Sequence, residues 1–389
     1  MQASEPTELY FDHAATTPVR DEVLAEMLPH FAATFGNPSS VHRSGQAARR
    51  VLEESRERVA AALGAHPREV LFTSGATEAD NQAVFGAAAL NSGGLVVSAT
   101  EHPAVLEAAR RLAAHGRRVD YVQPDQHGAL SEERFRLALE AQAGAGGTAL
   151  VAAMYVNNET GVLTQPAALA QLAHEYGALF LCDAVQALGV EVVNFAESGA
   201  DLLTVSAHKV YGPKGAGALL MRRGLELPPL LAGGHQERGY RPGTHAVPAI
   251  AGLAAAATLA AAEQPAERSR LAGVQRALEQ AALPIPGVSL NGAGANRSVR
   301  HSNLAVEGVD GETLLMLLDE AGVQVSAGSA CAAGSLDPSH VLLAMGLTRE
   351  QAKASVRFSY GHATDEAAAA SAVAVLAGAV GRARAAVAL

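Results

Sequence analysis

From about residue 70 the chain alternates short, continuously apolar runs with longer stretches whose apolar residues recur at helical spacing. Val70-Leu71-Phe72, Leu95 to Ser98, Val119 to Val122, Ala149 to Val156, Ala178 to Cys182 and Leu202 to Val205 read as strands. Between them, Ala79 to Leu90, the stretch after Glu101-His102-Pro103 to about Ala114, and the segment that Ser131 can cap with Glu132 and Glu133 in its first turn read as helices. Apolar strands without polar alternation, separated by helices, belong to a mostly parallel sheet covered on both faces, so the expected fold class is α/β. Upstream, Asp21 to His30 and Gln46 to Leu63 carry helical patterns, and Gly36-Asn37-Pro38-Ser39-Ser40-Val41-His42 between them reads as an ordered loop. Downstream, an alanine-rich helix from Ile250 leads into a smaller α+β unit. There Ser302 to Val306 and Val323 to Ser326 are extended, and Gly311 to Ala321 and Thr364 to Val380 are helical. The expected division is a large domain over 14–255 and a small one built from 1–13 and 256–389.

Composition narrows the class. With 389 residues, 49% hydrophobic and 17% charged, the chain can bury two cores. A formal net charge of -10 weighs against an extended basic surface for nucleic acid. The N-terminus lacks the basic start and apolar centre of a signal peptide. The longest apolar runs, Ile250 to Ala262 and Ala367 to Val380, are dominated by alanine and fall short of the roughly 18 residues of a membrane span, so packed helices and no membrane association are expected. The two cysteines, Cys182 and Cys331, cannot make a disulfide framework, and no Cys/His cluster has zinc spacing; no metal and a reducing, cytoplasmic compartment are expected.

In a parallel sheet the ligand lies beyond the carboxyl ends of the strands. His102, Asn158, Asp183 and Lys209 all follow strand-like runs, as does Gly75-Ala76-Thr77. Alone, each has an ordinary reading: a snorkelling lysine at 209, a helix cap at Asp183, simple capping at Gly75 to Thr77. A lysine desolvated at a strand end is also a nucleophile toward a carbonyl, and a strand-to-helix turn of small residues suits a phosphate. Lysine, aspartate, phosphate turn and a stacking histidine together match what pyridoxal phosphate requires. In the second unit, Ser326 to Ser335 has almost no side chain that could anchor it by packing, which leaves Cys331 accessible, whereas Cys182 in an apolar strand reads as an inert core residue. Arg357, alternating with apolar neighbours in Ser355-Val356-Arg357-Phe358-Ser359, can offer a guanidinium to a carboxylate or form an ordinary ion pair.

Several stretches, in order along nearly the whole chain, resemble the cysteine desulfurases, in the class V branch of fold-type I pyridoxal phosphate enzymes. They are Tyr10 to Pro18, Gly36 to Ser40, Phe72 to Glu78, Glu101-His102, Val156 to Glu159, Asp183 to Gln186, Ser206 to Lys209, Arg241 to Thr244, Gly328 to Cys331 and Arg357 to Ser359. The resemblance implies Lys209 as the Schiff-base lysine, Asp183 on the pyridine nitrogen, and His102 stacked on the ring and shuttling protons. It implies Asn158 and Gln186 on the ring oxygen, and Ala76, Thr77, Ser206 and His208 on the phosphate. Thr244 would reach the phosphate of the opposite subunit of a homodimer. Asn37, Asn158 and Arg357 would bind the carboxylate of L-cysteine. Cys331 would take the sulfur as a persulfide, on a segment similar to that of the long-catalytic-loop group, and deliver it to an acceptor protein for iron-sulfur clusters, tRNA thiolation or another pathway. The nearest alternatives are a selenocysteine lyase or a class V aminotransferase with Cys331 incidental; a scaffold with an inherited fold lies further off. The sequence departs from the family at Ala207 and His13, and ends at Leu389 without the longer tail some members use to dock scaffolds.

Overall fold

A computed structural model describes residues 8–327 and 337–387. Its strands, in chain order, are β1 (Leu9–Tyr10), β2 (Val70–Thr73), β3 (Gly94–Ser98), β4 (Val119–Val122), β5 (Thr148–Ala152), β6 (Leu179–Asp183), β7 (Leu202–Ser206), β8 (Gly217–Met221), β9 (Val288–Asn291), β10 (His301–Val306), β11 (Val323–Gln324), β12 (Ser326–Ala327) and β13 (Ser355–Ser359). A seven-stranded sheet has the order β2-β8-β7-β6-β5-β3-β4. It is parallel except for β8, which runs antiparallel to both β2 and β7. The reversal has a simple cause: only a short turn, Ala207–Lys209, and a Gly/Pro loop join β7 to β8, and a parallel return would need a crossover of a dozen or more residues. The apolar run Ala216 to Met221 that forms β8 completes the sheet beside the expected strands.

Alternation along the strands supplies both faces of this sheet. Phe72, Val96, Val151, Phe180, Cys182, Leu203 and Val205 pack on one side, and Leu71, Leu95, Val97, Leu150, Leu181, Leu202 and Leu219 on the other. A second, antiparallel sheet has the order β12-β13-β10-β9, and β1 pairs in parallel with β11 beside it. Its core gathers Phe11, Leu304, Phe358, Tyr360 and Leu376.

The helix Val247–Ala282 joins the two parts. Ile250, Leu253, Ala254 and Ala257 belong to the first core; Leu271, Val274, Leu278 and Ala282 belong to the second. The division expected between 255 and 256 falls inside this continuous 36-residue helix. It and the C-terminal helix Glu366–Val387 outrun the apolar stretches seen in the sequence. Both are long and apolar enough, by length and composition alone, to cross a membrane, which corrects the expectation that they fall short. Each sends residues into the protein core.

Local differences follow local chemistry. The helix expected over Asp21 to His30 divides into Asp21–Met27 and Pro29–Ala32, because Pro29 has no N–H to continue the ladder. The helix expected from Ala79 starts at Ala76, directly after Gly75 at φ 156°, a backbone that favours glycine. The strand expected over Ala149 to Val156 ends at Ala152, after which the backbone turns to bond β6 through Tyr155 N–H to the Asp183 carbonyl at 2.8 Å. Ser131 precedes the helix Glu132–Ala143 as expected, but its hydroxyl makes no cap bond.

Candidate active site

Because β8 opposes both β2 and β7, β2 runs with the parallel strands, and the carboxyl ends of β2, β3, β5, β6 and β7 lie along one edge of the sheet. A cavity of about 510 Å³ opens there, with His102, Asn158, Asp183, Gln186, Lys209 and Arg357 in its wall. Ala76, Thr77, Ser206 and His208 line it as well. Asn37 and Thr244 do not line it within one chain. Asn37 is exposed and its Oδ1 accepts from the Ser39 N–H at 2.9 Å; Thr244 is exposed just before the helix Val247–Ala282. Cys331 lies outside the described residues.

Lys209 ends the turn that follows β7. Its Nζ donates to the carbonyls of Ala14 at 2.6 Å and Ala15 at 2.8 Å. The same N-terminal segment grips the turn from below: Thr17 donates its N–H and hydroxyl to the His208 carbonyl, both at 2.9 Å, and its Oγ1 accepts from the Tyr211 N–H at 2.7 Å. Tyr211 is held at φ 64°, a left-handed conformation that costs a bulky residue energy and is maintained by these bonds. The stretch Tyr10 to Pro18 resembled the family, but nothing in its side chains announced that Ala14 and Ala15 would act through their carbonyls.

Three buried carboxyl groups cluster behind the lysine. Asp183 ends β6 and accepts from the Val185 N–H at 2.9 Å. Asp80, on the helix Ala76–Leu90, accepts from the Thr204 hydroxyl at 2.8 Å, and Glu101 accepts from the Met154 N–H at 2.6 Å. Asp80 Oδ2 and Glu101 Oε2 have no partner. Burial lifts Asp183 to about 6, its backbone bond and Lys209 pulling the other way; burial and the Asp183 charge lift Glu101 to about 8 and Asp80 well above the usual range. Like charges in one dry patch cannot all persist, so Asp183 carries the charge and the other two stay neutral at neutral pH. Asp80 was missed in the sequence, and Glu101 was named there only beside His102, without a role. For Asp80 the available signal was a lone carboxylate on a helix face otherwise made of Ala79, Ala83 and Val84.

His102 caps the helix Pro103–Ala114, its Nδ1 accepting from the Ala104 N–H at 3.1 Å. The neutral ring therefore carries its proton on Nε2. Burial first, then Lys209 and His340, lower its pKa to about 4. His208 is likewise lowered to about 4 by burial, Lys209 and Lys214, and its Nδ1 lies 3.1 Å from Thr16 Oγ1.

At the far end, the N-terminus of the helix Ala76–Leu90 meets Ser206 and His208. Glu78 in its first turn would repel an anion if bare. Instead its carboxylate accepts from Ser74 and from Arg241, the latter at 2.7 Å and 3.2 Å, so the helix end stays attractive to a phosphate. Two buried acceptors, Asn158 Oδ1 and Gln186 Oε1, have no partner, while Gln186 Nε2 donates to the Ala14 carbonyl at 2.9 Å. Such atoms are costly unless a ligand completes them. Arg357 is nearly fully buried; it bonds Asp12 at 2.7 Å and the Asn158 carbonyl at 2.8 Å, and its Nε has no partner. Cys182 is fully buried in the core and burial pushes its thiol well up, as its apolar strand implied.

This arrangement is that of a class V aminotransferase, and the chain belongs to that family, whose model matches residues 9–369. Within it the chain is a cysteine desulfurase, a pyridoxal phosphate enzyme. It is 42% identical to the cysteine desulfurase IscS of Dictyoglomus turgidum over 91% of this chain and 90% of that one. It is also 42% identical to the cysteine desulfurase of Gluconacetobacter diazotrophicus over 92% and 90%. Among solved structures, a NifS-like protein superposes with a TM-score of 0.88 at 31% identity, covering 96% of this chain and 99% of that one. DndA from Streptomyces lividans superposes with a TM-score of 0.76 at 38% identity, covering 90% and 99%.

The residues present fit pyridoxal phosphate: a lysine at the cavity wall, a buried carboxylate, a helix N-terminus for the phosphate, and two orphaned acceptors that a ring hydroxyl would complete.

Proposed function

We propose that the enzyme converts L-cysteine to L-alanine and moves the sulfur onto Cys331 as a persulfide, for delivery to an acceptor protein. The observation that carries the amino-acid half is that Lys209, Asp183 and Arg357 face one cavity from three separate elements. Bound pyridoxal phosphate supplies an electrophilic carbonyl and an electron sink for the bonds at the amino acid's Cα. Lys209 would anchor it, Asp183 would hold a proton on the ring nitrogen, and Ala76, Thr77, Ser206 and His208 would hold the phosphate. The Ala14 and Ala15 carbonyls aim the lysine amine, which takes the Cα proton once it is a free base. Neutral His102, its Nδ1 taken by the Ala104 N–H, would stack on the ring and offer Nε2–H as a hydrogen-bond donor.

Arg357, held in the cavity wall by Asp12 and the Asn158 carbonyl, would receive the substrate carboxylate, with Asn158 beside it. The thiolate of Cys331 attacks the substrate sulfur: an S–S bond forms, the substrate C–S bond breaks, and its electron pair returns to the carbon skeleton, which is protonated to alanine. One cysteine and one thiol give one alanine and one persulfide, with no external oxidant. An unperturbed thiol is only about 3% ionised at pH 7, so a nearby proton acceptor aids the step. Thr244, exposed in the single chain, suits a role at the phosphate of a second subunit, and a reducing cytoplasm keeps Cys331 a thiol. Sulfur supply to iron-sulfur clusters or to tRNA thiolation are the destinations this chemistry suits.

Cys331→Ala assayed with L-cysteine tests the proposal. Cofactor absorption and its change on adding substrate persist, while alanine and sulfide formation collapse. Full alanine formation in that variant would rule the persulfide step out.

A further inference from the structure

Ser339 and His340 open the helix His340–Ala344, a few residues after Cys331 in the chain. Ser339 is buried. Its Oγ accepts from the Leu342 N–H at 3.1 Å as the helix cap, and its hydroxyl proton goes to Glu159 Oε2. The next residue, His340, places Nε2 2.9 Å from the Glu101 carbonyl oxygen. A carbonyl only accepts, so Nε2 carries a proton and donates it.

The receiving groups are themselves immobilised. Glu159 is fully buried, its N–H bonded to Asn157 Oδ1 at 3.0 Å and its carbonyl accepting from Asn303 at 3.3 Å. Glu101 is tied to Met154. Each also adjoins a cavity residue in sequence, Glu159 next to Asn158 and Glu101 next to His102. Two consecutive residues are thus bonded to the immediate neighbours of two cofactor-site residues.

Stability alone is a poor reason for this carboxyl group. Glu159 is wholly desolvated, its Oε1 has no partner, and burial raises its pKa against the opposing pull of Ser339, His340 and Arg357. An apolar side chain of similar size would serve packing as well or better. What the carboxyl group gains is a fixed point for the chain at residue 339.

We propose that Glu159 is a positioning residue for sulfur transfer: together with the Glu101 carbonyl it fastens Ser339 and His340, and through them the chain leading back to Cys331, to the cofactor site. This rests on the reading that Cys331 accepts the sulfur. Fixing one end of a short chain beside the reaction raises the effective concentration of the thiol it carries and leaves the cofactor chemistry untouched.

Glu159→Leu, which removes the acceptor, Ser339→Ala, the double variant and Ser339→Thr are compared as full-length holoenzyme. Cofactor absorption per chain and its change with L-cysteine stay at wild-type levels, and KM changes little. The yield of Cys331 persulfide and the rate of alanine formation fall roughly tenfold in Ser339→Ala, recover in Ser339→Thr, and fall no further in the double variant. Amide exchange in 340–344 quickens in step. Wild-type alanine formation in both single variants would overturn the proposal, as would additive losses in the double variant. Loss of the substrate spectral change would overturn it too, because Glu159 would then act on the cofactor. Cys331→Ala, run alongside, separates the two readings. If it is inactive while the Glu159 and Ser339 variants are normal, only the fastening fails; if it is fully active, the persulfide step itself fails.

Discussion

Arg357 and Asp12, 345 residues apart in the chain, meet at 2.7 Å on the wall of the cofactor cavity. The guanidinium is almost wholly buried, and a second bond, to the Asn158 carbonyl, fixes its plane. Its orientation is therefore set before any substrate arrives.

Arg357→Lys tests this. Lysine keeps the charge but loses the fork that bonds Asp12, Asn158 and a carboxylate together. We expect KM for L-cysteine to rise on the order of tenfold or more, by the loss of a charge-assisted pair. Cofactor absorption should be unchanged. A KM within twofold of wild type would show that the carboxylate binds elsewhere.

The orphaned Gln186 Oε1 gives a second test. In Gln186→Leu the cofactor-free protein loses a bond to the Ala14 carbonyl, which Lys209 still serves, but sheds an unsatisfied buried oxygen. The melting temperature of the apo-protein should change little, while cofactor affinity falls roughly five- to tenfold, the usual loss for one hydrogen bond. Equal affinities, measured by cofactor titration, would remove Gln186 from the ring's contacts.

Glu101 makes stability depend on pH. Its folded pKa of about 8 lies above its ordinary value of 4.5, so between these values the unfolded chain has lost a proton that the folded one retains. Stability contributed by this group is thus full at low pH and declines as pH rises toward 8. Glu101→Gln keeps the acceptor for Met154 and removes the titration. Its melting temperature should match wild type near pH 5 and exceed it near pH 8, by an amount equivalent to a few kcal/mol. Parallel curves for the two proteins would place an ionised Glu101 in the fold.

A methyl group at residue 361 would lie 2.2 Å from the His13 ring. Gly361→Ala should therefore destabilise the protein by about 1–3 kcal/mol through overpacking. His13→Ala in the same chain should restore part of the loss, as thermal unfolding of the single and double variants would show.

Much of the site was legible in the sequence because its side chains follow apolar strands. His102, Asn158, Asp183 and Lys209 each stand at the end of such a run, and a parallel sheet brings those ends together. The parts that were not legible act through the backbone or through distance. Ala14 and Ala15 contribute carbonyls, which every residue has. Asp80 and Glu101 matter because burial drives them neutral, a property of the packed state and not of the motif. Residue pattern alone left both an ion pair and a carboxylate ligand open for Arg357; the structure shows the ion pair with Asp12. Strand β8 reverses because its connection is short, which apolarity does not reveal. Asn37 and Thr244 stay outside the cavity of a single chain, and residue pattern gave no sign of that.

The contact between the N-terminal segment and β13 also ties the two ends of the chain to one site. Asp12 has no guanidinium to meet, and Phe11 no Ser359 N–H to bond, until almost the last strand has been made. A chain ending before β13 would thus lack both the guanidinium that faces the cavity and the strand that holds the N-terminal segment.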